Sequence, residues 1–514
     1  MLDPQTATEQ GHQDIIELLL EYRVDLSAVA ARNNGYTALQ AAAEQGHQRI
    51  VELLLQRAAV VNAEAGSNNG RTALQAAAEQ GHQDIVELLL EYGADLSAVA
   101  ARNNGRTVLQ AAAEQGHRRI VELLLQRAAV VNTQAVNVQA VVNARPGNCG
   151  RTALQAASEQ GHQDIVELLL QRGAEVNACA SNNNGRTALQ AASEQGHQDI
   201  VELLLERGAD INARAGNKNG RTAFQAAAEQ GHREIVELLL QKAAVVNTQA
   251  VNVQTVVNAR AGNNNGRTAL QAAAARGHKD IVELLLDYGA DLSAVAARNN
   301  GRTALQAAAE QGHREIVELL LRRAAVVNTQ EVNVQTVVNA RAGNNNGRTA
   351  LQAAAEFGHT EIAALLLQEH AEIDAKPAKK NGITAIKAAA ENGHTRVLRL
   401  LLDKGATIDL KAMTFQADST LADINKSTYV YPRLRRRLIV CCDGTWYTDS
   451  NGMPLSNVAR ISRCIDNIDT RTNNVFTQII HYQSGIGTSP FPLANLWDGA
   501  FAQGKLDGRS DFKS

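Results

Sequence analysis

Residues 70–98 read GRTALQAAAEQGHQDIVELLLEYGADLSA, and this stretch decides the fold. Thr72 stands where its hydroxyl can cap a short helix running from Ala73 to Gln80, since a first turn leaves backbone N–H groups without partners. Gly81 supplies the left-handed residue that ends this helix. A second helix follows, with Ile85, Leu88 and Leu89 at i, i+3 and i+4 forming one apolar stripe and Glu87 and Glu91 turned to water. Gly93 closes the second helix, and a polar, Asn-rich loop leads on. Two helices of about ten residues cannot bury their faces alone and require neighbours of the same kind.

The neighbours are present. A Gly-His pair followed by an I-V-E-L-L-L-like run recurs with its Gly at 11, 46, 81, 116, 161, 196, 231, 277, 312, 358 and 393. These eleven copies are mostly 35 residues apart, with three steps lengthened by ten or eleven residues. A fixed period in this range means stacked supersecondary units. The unit resembles the ankyrin repeat, and the likeness covers residues 1 to about 410. It implies an all-α solenoid of helix–turn–helix–loop units.

Three departures from that family's pattern carry physical consequences. Its Thr-Pro-Leu-His is Thr-Ala-Leu-Gln here (Thr72 to Gln75), so Gln must take over the hydrogen bonds of the His. The Gly after the second helix is replaced by Ala58, Ala128, Ala243, Ala324, His370 and Arg23, which costs about 1 kcal/mol wherever the backbone stays left-handed. The first copy has Leu2 in place of Thr and Pro4 in place of Leu, and so predicts a frayed start.

The lengthened steps follow copies 4, 7 and 9, with NTQAVNVQAVVNAR from Asn132, NTQAVNVQTVVNAR from Asn247 and NTQEVNVQTVVNAR from Asn328. Val136 and Val138 alternate with Asn137 and Gln139. This period-two pattern predicts lengthened hairpin fingers, with plain loops as the alternative. The VVN triplet on either side of each insert points to duplication within the loop.

The composition narrows the function. Over 514 residues, 50 Lys and Arg stand against 53 Asp and Glu, a net charge of −3, so whole-chain electrostatics gives no reason to expect a nucleic-acid partner. Apolar residues reach 45 % but aromatics only 3 %, so the core must be built from Ala, Leu, Ile and Val. No stretch approaches the ~18 apolar residues of a membrane span, and the N-terminus lacks a signal-peptide pattern. The five cysteines (Cys149, Cys179, Cys441, Cys442 and Cys464) form no C-x-x-C pair or disulfide framework. A reducing compartment is expected, the cytoplasm first and the nucleus as the alternative. Eleven of the thirteen His occupy the Gly-His position, one per repeat. Packed helices hold them about 10 Å apart, too far to share a metal ion, so they are expected to fix the turn between helices. No metal site and no cofactor is expected.

In ankyrin proteins the partner meets the concave face, built from loop tips and first helices. The resemblance therefore directs attention to the residue between Gly and Thr. That residue is Arg at Arg71, Arg106, Arg151, Arg186, Arg221, Arg267, Arg302 and Arg348, with Tyr36 and Ile383 in flanking copies. The first helix ends in Glu-Gln in most copies, as at Glu79 and Gln80. The face is thus an Arg ladder beside a Glu ladder. Either it matches an extended, repetitive or acidic protein partner through many equal weak contacts, or it neutralises itself and records recent duplication.

Residues 411–435 read as a linker and 436–514 as a different segment. Arg433, Arg435, Arg436 and Arg437 form a basic cluster at a strand entry, a localisation signal being the alternative. Leu438 to Cys441 predict a short strand, Ser456 caps a helix carrying Val458, Ile461, Ile465 and Ile468, and Val475 to Tyr482 predict a second strand. Strand, helix, strand opens a parallel α/β sheet. The blocks CCDGTW, SNVARI and HYQSGIGT, within residues 436–489, resemble the start of an α/β-hydrolase family that includes phospholipase effectors of type VI secretion and many fungal proteins.

The resemblance implies a G-x-S-x-G elbow presenting a nucleophilic serine. The segment has none: Tyr482 stands two residues before Ser484, and Phe512 two residues after Ser510. The loop Asp443, Gly444, Thr445 and Trp446 would flank the active site of an intact relative, so an enzymatically incomplete, truncated βαβ is expected, with a longer phospholipase- or esterase-like hydrolase as the alternative. A dehalogenase-type phosphatase is excluded because Cys441 stands where its nucleophilic Asp would be.

Overall fold

The computed structural model describes residues 4–22 and 37–407, apart from residue 58 and segments 64–70, 98–104, 134–136, 146–149, 180–184, 215–219, 249–250, 262–265, 295–300, 331, 342–346 and 377–382. It also describes 447–448 and 454–455. The chain divides into two compact units, Met1–Gly347 and Arg348–Ser514.

Among the described residues the first unit holds nine helix pairs, from Pro4–Glu9 with Gln13–Glu21 to Ala304–Gln311 with Arg314–Val327. Each first helix packs on the first helices before and after it, and each second helix packs on its own partner and on the neighbouring second helices. The helix Ala73–Gln80 starts at Thr72, whose side chain accepts from Gln75 N while the Gln75 side chain accepts from Thr72 N. Gly81 ends it at φ 85°. This capping box recurs at Thr37, Thr107, Thr152, Thr187, Thr222, Thr268 and Thr303. Alanines make the close stacking possible. Ala76, Ala77 and Ala78 are all buried, with no bulk to hold adjacent first helices apart.

The buried stripe of the second helix is wider than spacing alone suggests. Ile85, Val86, Leu89 and Leu90 are buried, whereas Leu88 is only half-buried. The reason is that Gln83–Glu91 is covered both by its own first helix and by the second helices on either side. Burying each such aliphatic side chain stabilises the array by about 1.5–3 kcal/mol. The first copy, expected to be frayed, forms both its helices. Pro4 occupies the first helical position, where its missing N–H costs nothing.

The three inserts are not hairpin fingers. After copies 4, 7 and 9 the second helix continues for 14 residues, as Arg118–Val131, Arg233–Val246 and Arg314–Val327. It ends on a left-handed asparagine, Asn132, Asn247 or Asn328. Asn137, Asn252 and Asn333 then cap short helices Val138–Val142, Val253–Val257 and Val334–Val338. Ala128, Ala243 and Ala324 therefore carry no left-handed strain, because they lie buried inside the lengthened helices. Ala58 and Arg23 lie outside the described residues. His370 does take the left-handed conformation, at φ 60°.

The duplicated VVN explains this rearrangement. In an unlengthened copy, Asn62 donates to Gly93 O at 3.2 Å and accepts from Asp95 N at 2.9 Å, tying one repeat to the next. In copy 4 the same clasp is made by Asn143, to Gly173 O at 3.2 Å and from Glu175 N at 2.8 Å. Asn132, which matches Asn62 in sequence, is released to end a helix. The sequence QRAAVVN occurs at both 56–62 and 126–132, yet the helix stops at Gln56 in one and runs to Val131 in the other.

The second unit holds the pairs Ala350–Phe357 with Thr360–Gln368 and Ala385–Glu391 with Thr395–Asp403. It also holds a two-stranded antiparallel ladder in which Tyr447 faces Leu455 and Thr448 faces Pro454. That pairing has no counterpart in the expected strand–helix–strand pattern, whose three elements, with the linker 411–435, lie outside the described residues. Among the described residues no helix is long and apolar enough to cross a membrane.

Candidate interaction face

The ladder residues are placed by the caps. Arg immediately precedes the capping Thr, and Glu lies on the last turn of the same helix, so the Arg side chain runs alongside the helix to reach it. In the first unit Arg71 bonds Glu79 at 2.5 Å and Glu44 of the preceding repeat at 3.0 Å. The pattern then repeats. Glu79 lies between Arg71 and Arg106 (3.9 Å), Glu159 between Arg151 (2.6 Å) and Arg186 (3.3 Å), and Glu194 between Arg186 (2.5 Å) and Arg221 (3.6 Å). Arg106 also bonds Glu114 at 3.0 Å. A guanidinium beside a carboxylate at a helix C-terminus offsets the unfavourable dipole there. Most of these side chains are half-buried, and each pair contributes roughly 0–1 kcal/mol.

The ladder is interrupted at one rung of this unit. Ala275 stands where the sister copies have Glu, and Arg276 where they have Gln. Arg267, which precedes Thr268, is exposed and has no ion pair among the described residues. Arg276 reaches back to Glu229 at 3.5 Å, where Arg221 also binds. Arg302 bonds Glu310 at 2.8 Å. Nearby Lys279 adds no free charge: its ammonium bonds Glu315 at 2.8 Å, and that hydrogen bond and its Coulomb attraction raise the pKa of Lys279 and lower that of Glu315.

In the second unit Arg348 pairs with Glu356. Ile383, before Thr384, is half-buried, and Phe357 presents an exposed aromatic ring where most copies have Gln. Tyr36 lies outside the described residues, as does the loop Asp443, Gly444, Thr445 and Trp446.

Two further side chains hold the edge in place. Gln190 accepts from Thr187 N at 2.8 Å through its carbonyl, while its amide donates to Ala213 O at 2.7 Å and Arg221 O at 2.6 Å. Gln thus takes the linking role expected of it, and does so across repeats. The His of Gly-His also acts between repeats rather than within its own turn: His82 Nε2–H donates to Glu44 O at 3.1 Å, 38 residues back in the chain. A carbonyl partner fixes the proton on Nε2. Among the described residues no three His, Cys, Asp or Glu side chains gather to hold a metal ion.

The ladder's main positions were legible because they fall at fixed offsets from Gly and Thr. The sequence itself displays the interruption, as ALQAAAARGH against ALQAAAEQGH.

Stacked helix pairs joined by repeat-to-repeat clasps define a helical-repeat protein. Matches to the family described as ankyrin repeats (3 copies) fall at residues 5–65, 60–135, 129–215, 179–250, 244–331 and 324–412, and the chain belongs to the ankyrin-repeat family. Residues 436–507 match the family described as T6SS, phospholipase effector Tle1-like, catalytic domain. No curated protein matches the chain.

Proposed function

We propose that the ankyrin array is a protein-interaction module, a scaffold or recognition arm, whose partner meets the edge formed by the Arg–Glu ladder and the ends of the first helices. The reading is supported by the ankyrin matches over residues 5–412 and by an edge that repeats with nearly constant chemistry. The ladder largely neutralises itself, so regular rungs offer a partner little net charge. Exchanging one such half-buried pair for a partner contact costs about as little as the pair contributes, roughly 0–1 kcal/mol. Affinity then comes from several rungs acting together and from the rungs that differ. A cytoplasmic setting belongs to the same proposal, on the strength of five scattered cysteines without a disulfide framework.

The C-terminal match supports a second reading, a phospholipase-like hydrolase directed by the repeats. We favour the binding reading because the ankyrin matches run over residues 5–412, whereas the hydrolase-like match covers 436–507 and contains no G-x-S-x-G elbow. Selection of binders from a displayed protein library against the full chain tests the first reading. Binders should lose affinity on charge reversal of Arg186 and Arg221, and binders indifferent to that change contradict it. Release of fatty acid from phospholipid vesicles by the full chain tests the second; the binding reading predicts the rate of a blank.

A further inference from the structure

At Glu79, Glu159 and Glu194 the carboxylate is bracketed by two arginines, its own and that of the next repeat. Glu159 and Glu194 each receive one guanidinium at 2.5–2.6 Å and the next at 3.3–3.6 Å. At position 275 both arginine positions of the bracket are kept but the carboxylate is not. Arg267 is the arginine of that rung and Arg302 that of the next, and Ala275 lies on the same last turn as the glutamates of the sister copies. The backbone is held as elsewhere: Thr268 caps the helix, Gly277 ends it at φ 86°, and His313 Nε2 bonds Ala275 O at 3.3 Å. Relative to a regular rung, one negative charge is lost and Arg276 adds one positive charge.

We propose that this rung is an anion seat for an acidic segment of a protein partner, one of whose carboxylates takes the position that Glu occupies in the other repeats. Arg267 has no competing acid among the described residues, and Arg302 keeps only Glu310 of its two ladder acids. Arg276, with 58 % of its side chain exposed, is within reach of a second acidic group on the same segment. Two guanidinium groups converging on one carboxylate give charge-assisted hydrogen bonds, the strong class for such recognition. The proposal deepens the reading of the ladder edge as the binding face and rests on it.

The test uses the full chain and a short fluorescein-labelled Glu-Ala repeat peptide, followed by fluorescence anisotropy at low salt. The A275E/R276Q variant restores the sequence of the sister copies and so keeps the fold. It should bind the peptide about tenfold more weakly. Arg118→Ala, which removes a positive charge from a second helix, should bind as the parent does. Equal binding by parent and A275E/R276Q overturns the seat, as does no binding by the parent. Displacement by inorganic phosphate as effective as by unlabelled peptide also overturns it, in favour of a phosphate ligand. If A275E/R276Q binds normally while charge reversal at Arg186 and Arg221 abolishes binding, the seat is wrong and the ladder edge stands as the face. If neither change matters, both readings fall.

Discussion

The ring of His197 lies against Gly161 of the preceding helix pair while its Nε2–H donates to Glu159 O at 3.1 Å. A Cβ at position 161 would stand 2.6 Å from His197 Cε1, and Gly161 already has φ 86°. The glycine thus ends its own helix and leaves room for the clasp from the next repeat.

Gly208 separates these two roles, since it has φ 84° but nothing within 4 Å of an added Cβ. Gly208→Ala should cost about 1 kcal/mol, for the left-handed backbone alone. Gly161→Ala should cost about 2 kcal/mol or more, because the displaced ring also weakens its hydrogen bond. Urea unfolding followed by circular dichroism compares the two, and equal midpoint shifts would show that the His clasp carries no weight.

Copies 5 and 6 have Ser158 and Ser193 where copy 3 has Ala78. Both hydroxyls are fully buried and without a hydrogen-bond partner among the described residues. Burying an unpaired hydroxyl costs about 1–3 kcal/mol by mutational measures. Ser158→Ala and Ser193→Ala should each raise stability by about 1 kcal/mol, read as a higher thermal midpoint. A lower midpoint would mean that the hydroxyls are satisfied.

Gln190 and Arg186 offer a contrast between buried hydrogen bonds and half-exposed charge. Gln190→Leu strands two carbonyls and an N–H that the side chain now satisfies, and should cost about 3 kcal/mol or more. Arg186→Gln gives up pairs with Glu159 and Glu194 on side chains partly open to water, and should cost less than about 1 kcal/mol. Denaturant midpoints that reverse this order would place the ladder, rather than the Gln clasp, at the centre of repeat cohesion.

Deleting residues 248–258 should leave the array folded. Asn258 now makes the clasp to Gly289 O and from Asp291 N, and the deletion places Asn247 directly before Ala259, as Asn62 stands before Ala63. The helix that now reaches Val246 should shorten, so the helical circular dichroism falls while cooperative unfolding persists. Loss of cooperative unfolding would show that the lengthened helix is required in its own right.

Local chemistry was legible in the sequence and distant partnership was not. Thr72 and Gly81 announce a helix because their capping partners lie within one turn. The His82 ring was assigned to its own turn, whereas its acceptor belongs to the previous repeat, and no spacing within one copy reveals that. The stripe of Gln83–Glu91 omitted Val86 and Leu90 because flanking second helices cover a sector that a single amphipathic helix would leave wet. The inserts misled for a deeper reason: QRAAVVN ends one helix and extends another, and which it does depends on whether a second VVN follows to make the clasp. On the candidate face, the Arg and Glu positions could be read from the repeat, while their two-sided pairing required the stacked geometry.

The ladder edge is the surface proposed to meet a partner. Hydrogen exchange of the full chain, measured with and without a library-selected binding protein, tests this directly. Slowed exchange should concentrate in the residues that open the first helices, such as Arg186–Thr187 and Arg221–Thr222, with Gln198–Glu206 unchanged. Protection of Gln198–Glu206 and the other second helices, with the first-helix openings unaffected, would contradict it.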